Sequence, residues 1–97
     1  MTRQTILRLF DSILVLLQDA NEPAWIPAIE QRIATFTAVE PGTADYQDAI
    51  RDALNLFGGM GSFQDIVLQD QSGVLRQQQE LGRLRHELFA AIREELQ

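Results

Sequence analysis

The sequence predicts an all-α protein, a compact antiparallel four-helix bundle with a glycine-rich loop and a short irregular segment between helices three and four. Three observations predict it. Apolar residues recur at spacings of three and four in four separate stretches. No stretch alternates apolar and polar residues as a half-buried strand would. Proline and glycine fall between the stretches and not within most of them, which makes the connections short and successive helices antiparallel. The 97 residues make one domain spanning residues 1–97, and 45% hydrophobic content suffices for a single core.

The first helix is expected over residues 3–20, with Thr2 as its N-cap. Ile6, Phe10, Ile13 and Leu17 lie on one face. Leu7, Leu9, Leu14, Val15 and Leu16 widen that stripe, so this helix is either central or buries a second face in another copy of the chain. Asn21-Glu22-Pro23 then breaks the chain. The second helix starts at Ala24 or Pro27, since proline is tolerated only in a first turn, and runs to Thr37. Ile26, Ile29, Ile33 and Phe36 form its stripe, and Trp25 at its start packs the corner against the first helix.

Val39-Glu40-Pro41-Gly42 is a turn. Thr43 caps a third helix over residues 44–57, with Asp45 suited to the positive end of the helix dipole. Tyr46, Ala49, Ile50, Ala53, Leu54 and Phe57 are its buried stripe, and Gly58 is its C-cap. After Gly58-Gly59-Met60-Gly61, an extended or 3₁₀ piece over residues 62–68 is anchored by Phe63, Ile66 and Leu68. Residues 69–73 read as a polar loop. The last helix is expected over residues 74–96, with Leu81, Leu84, Leu88, Ala91, Ile92 and Leu96 facing inward. Gly82 within it points to a close helix crossing.

Composition bounds function. Net charge is −6 and every basic residue is an arginine. Phosphate recognition needs concentrated positive charge, so neither nucleic acid nor an anionic membrane surface is an expected partner. A partner selected by charge is itself basic. The longest apolar run, Ile13-Leu14-Val15-Leu16-Leu17, falls far short of the roughly 20 residues that span a bilayer. The absence of cysteine excludes thiol catalysis and thiolate metal sites and fits the cytoplasm.

Chemistry has few candidates, so no enzyme activity and no cofactor or metal is expected. His86 stands alone beside Arg83 and Glu87 and reads as a surface histidine. The glycines at 58–61 close a helix instead of opening one, and no lysine follows, so they are not a phosphate cradle. They read first as a cap and tight turn, and second as a contact loop formed by Gly59, Met60, Gly61 and Phe63. Asp45, Asp48 and Asp52 share one side of the third helix. They read first as a solvated stripe suited to the dipole, and second as a docking strip for a basic protein.

The stretch Leu56-Phe57-Gly58-Gly59-Met60-Gly61-Ser62-Phe63-Gln64-Asp65-Ile66-Val67-Leu68 resembles the signature of a family of small uncharacterised bacterial helical proteins. The family is a domain of unknown function, so the resemblance implies a helical layout and a leucine-rich terminal helix but no site. It also suggests a setting among toxin–immunity cassettes. The expected function is non-catalytic protein binding, most concretely an immunity protein that occludes a basic site on a toxin. The alternative is a subunit that self-associates, as a homodimer, through the first helix.

Overall fold

The computed structural model describes residues 3–20, 22–57, 69–70, 73–74 and 77–96. Four helices dominate: α1 (Arg3–Asp19), α2 (Ile26–Ala38), α3 (Ala44–Leu54) and α4 (Gln77–Glu95). Helix α1 packs on α2 and α4, and α3 packs on α2 and α4, which closes a ring of four. Contacts at the ends fix the directions. The Arg3 guanidinium at the start of α1 donates to the Val39 carbonyl just past α2 (2.6 Å). Tyr46 in the first turn of α3 donates to Glu95 in the last turn of α4. Neighbours in the ring therefore run antiparallel. Arg3 also places a cation at the C-terminal end of α2, where the dipole favours it.

The stripe predicted for α1 is its core face: Ile6, Phe10, Ile13 and Leu17 are fully buried, with Leu9 beside them. After α1, the Glu22 amide bonds to the Leu17 carbonyl and the Glu22 carboxylate caps a 3₁₀ turn, Pro23–Trp25. Trp25 packs against the core as expected. Pro27 falls in the first turn of α2, where its missing N–H costs nothing. Only Ile29 and Phe36 of α2 are buried. Ile26 and Ile33 are half-buried, because the seven-residue step from Ile29 to Phe36 (two helical turns) defines a narrower inward line than the sequence suggests.

Gly42 has φ +86°, a conformation costly for any side chain, and it turns the chain into α3. Thr43 caps α3 by accepting from the Tyr46 amide (3.2 Å) while donating to the Glu40 carbonyl (2.7 Å). The last turn tightens into a 3₁₀ helix, Asn55–Phe57. Three residues per turn swing Leu56 into line with Ala53, so Leu56 is buried and Leu54 only partly so.

Four expectations for the C-terminal half need correction. Residues 69–74 contain a two-residue antiparallel ladder, β1 (Gln69–Asp70) with β2 (Gly73–Val74), paired Gln69 to Val74 and Asp70 to Gly73. The predicted polar loop is thus in part a short paired ladder, and α4 starts at Gln77 instead of Val74. Leu96 lies past the end of α4 and is 39% exposed. Around Gly82, a Cβ would meet nothing within 4 Å among the described residues, so no close crossing explains the glycine. The N-cap assigned to Thr2, the cap assigned to Gly58 and the segment over residues 58–68 lie outside the described residues.

The core is knitted by rings. Phe10 and Phe36 lie 5.9 Å apart, and Phe36 meets Tyr46 edge-on at 6.0 Å. Phe36→Ala should therefore cost about 3–5 kcal/mol, a large share of the stability of a domain this size. Chemical denaturation of the variant measures it. Gly82→Ala should instead stabilise the fold by about 0.5–1 kcal/mol, seen as a thermal midpoint raised by several degrees.

Candidate functional site

Burial of Tyr46, Ala49, Ile50 and Ala53 fixes the rotation of α3. Asp45, Asp48 and Asp52 are then obliged to face solvent, and all three are exposed. The structure brings the three together on one face, as predicted, but they differ in what holds them. Asp48 accepts from Arg51 at 2.8 Å, a pair between exposed side chains. Asp52 lies 3.4 Å from Nε of Arg32, whose side chain is only 16% exposed. That contact has ion-pair distance without hydrogen-bond geometry, and Arg32 Nε has no other partner among the described residues. Asp52 is thus committed to balancing a largely buried guanidinium. Of these three, Asp45 alone makes no ion pair with another described residue. Gly59, Met60, Gly61 and Phe63, the other half of the predicted contact surface, lie outside the described residues.

A second surface adjoins the stripe of α1 that the sequence marks as wider than a core face needs. Between α1 and α4 runs a groove of about 320 Å³ whose described walls are Asp11, Ser12, Val15, Leu16, Asp19, Glu80 and Leu84. Val15 is 52% exposed, the most exposed of the large apolar side chains among the described residues. Leu16 and Glu80 also wall an adjoining hollow with Gln77 and Gln79. Glu80 accepts from Arg83, which also donates to Glu87 at 3.0 Å. The Arg83 guanidinium holds the Glu80 carboxyl below its ordinary range, so Glu80 stays charged. The sequence signal for this surface was the excess width of the α1 stripe.

His86 is exposed, as expected, and flanks a shallow hollow with Gly82, Arg85 and Phe89. Phe89 packs on Phe57 (5.2 Å), with the Arg93 guanidinium 5.7 Å above its ring. Among the described residues no three histidine or carboxylate side chains gather to hold a metal ion. Nor is any described helix long and apolar enough to cross a membrane.

Residues 18–76, more than half of the chain, match a family model described as Domain of unknown function (DUF6966). The chain belongs to that family. The DUF6966 segment holds α2, α3 and the acidic strip. Helix α4 and all but the last two residues of α1 lie beyond it, so the leucine-rich terminal helix is outside the match. No curated protein and no solved structure matches the chain.

One perturbed group ties the ends of α3 and α4. The buried Tyr46 hydroxyl donates to Glu95 Oε1 (3.2 Å), and the Gln47 amide donates to the Glu95 carbonyl (2.9 Å). Burial first, and then the Glu95 carboxylate, push the phenol up to about 12 from 10.0. The folded pKa exceeds the unfolded one, so the stabilisation is complete below pH 10 and is lost as pH rises to about 12. The chain has one tyrosine, no lysine and no cysteine, which leaves this limb to a single side chain. Denaturation midpoints should fall over that window by an amount equivalent to about 2 kcal/mol, and Tyr46→Phe should flatten the limb.

Proposed function

We propose that the protein acts by contact, as a non-catalytic protein-binding domain, and most specifically as a bacterial immunity protein that occludes a basic site on a toxin in the cytoplasm. The supporting observation is the disposition of charge. Of the net charge of −6, the four helices carry −3, and α3, whose inner face is locked by packing, carries −2 of that on its outer face. A rigid acidic surface speeds encounter with a basic partner, while a few buried anchors set affinity. A single histidine and no cysteine leave little for nucleophilic or metal chemistry. In this reading Asp45 and Asp48, with the Gly59, Met60, Gly61 and Phe63 loop, face the partner, and Asp52 keeps Arg32 in place.

A second reading, self-association through α1, is favoured by the exposure of Val15. Affinity capture from the source cells across a salt series separates the two. A stoichiometric basic partner released as salt rises is the expected result. Recovery of the chain alone at every salt concentration would transfer the weight to self-association. With the captured partner in hand, Asp45→Arg combined with Asp48→Arg should slow association about tenfold at low salt, with the difference shrinking as salt screens it. An unchanged rate would remove the α3 strip from the interface.

A further inference from the structure

We propose that the groove between α1 and α4 is a docking site for a basic amphipathic helix of a partner protein. This rests on the contact reading above and assigns it a surface and a ligand chemistry.

The groove has an ordered pattern of side chains. Asp11, Val15 and Asp19 stand four residues apart along one ridge of α1, acid–apolar–acid over about 12 Å. Ser12 and Leu16 form the next ridge, and Glu80 and Leu84 repeat acid–apolar on α4. The floor is Val15, half-buried Leu16 and buried Leu84. The rim is three carboxylates, and no basic residue stands in the described wall. A helix lying between two antiparallel helices presents its own apolar ridge to such a floor. Basic residues flanking that ridge eight positions apart meet Asp11 and Asp19.

Two features distinguish Asp11 and Asp19 from the engaged carboxylates Asp48 and Asp52 of α3. Neither Asp11 nor Asp19 has an ion pair among the described residues, whereas Asp48 and Asp52 are engaged by arginines. Asp19 also ends a helix that has no basic residue in its last turn, so it opposes the macrodipole with nothing described to offset it. A second copy docked groove to groove would set Asp11, Asp19 and Glu80 against a like-charged rim, so a basic helix is the better-matched occupant.

The test uses the full chain and two synthetic amphipathic helical peptides with a leucine stripe. One carries arginines eight positions apart beside the stripe, and the other glutamates there. Backbone amide resonances report the site. The arginine peptide should shift the signals of Asp11, Ser12, Val15, Leu16, Asp19 and Leu84 saturably, and the glutamate peptide should not. Asp11→Asn with Asp19→Asn should weaken the arginine peptide about tenfold while the thermal midpoint stays level or rises. Saturable shifts confined to Asp45 and Asp48 would overturn the groove and leave the contact reading standing. No saturable shift with the arginine peptide would also overturn the groove, and the contact reading then stands or falls on the capture experiment alone. Groove signals that move with protein concentration and no peptide would make a second copy the occupant and overturn the proposal.

Discussion

The Phe36 ring is where three helices meet. It lies against Phe10 of α1 and meets Tyr46 of α3 at a near-right angle, while its own backbone belongs to α2. Tyr46 in turn hands its hydroxyl to Glu95 of α4. One chain of contacts therefore touches all four helices, apolar for most of its length and polar only where it reaches the rim. Tilted and edge-on rings contribute beyond the area they bury. The antiparallel ring of helices depends on this column, because the α3–α4 connection is too long to impose a direction by itself.

The column also sorts the charges. Once Phe10, Phe36 and Tyr46 point inward, helical geometry fixes which residues point out. Turning Tyr46 inward exposes Asp45 and Asp48, and turning Ile13 and Leu17 inward exposes Asp11, Asp19 and Val15. The two acidic surfaces have different characters. On α3 the arginines at positions 32 and 51 temper the field, and the strip is partly an internal affair of the bundle. Along α1 the carboxylates flank apolar side chains and make no ion pair among the described residues. An apolar floor inside an acidic rim combines desolvation with charge selection, the pairing by which protein surfaces gain both affinity and discrimination.

Legibility varied along the chain for physical reasons. The α1 stripe was read residue for residue, because its buried side chains are large and their spacing is helical. Thr43 was read as a cap because a hydroxyl before an acidic first turn has one obvious use. Ile26 and Ile33 were over-read: an isoleucine on a helix says nothing about how close the neighbouring helix comes. Gly82 was misread because a glycine permits close approach without requiring it. The ladder of β1 and β2 was missed since two-residue strands are too short to show a period. The engagement of Asp52 by Arg32 was invisible, as the two are twenty positions apart and meet only across the α2–α3 contact.

The sequence by itself determined the helical class, the boundaries of α1 and α2 to within about two residues, the start of α3, most of the core, and the acidic balance. These follow from periodicity, capping and composition, which are local or additive properties. The tertiary structure alone decided which carboxylates are neutralised, that Tyr46 meets Glu95, and that Val15 lies in a groove instead of the core. Such properties depend on distances between helices, and those distances are set by the fit of side chains that are remote in sequence.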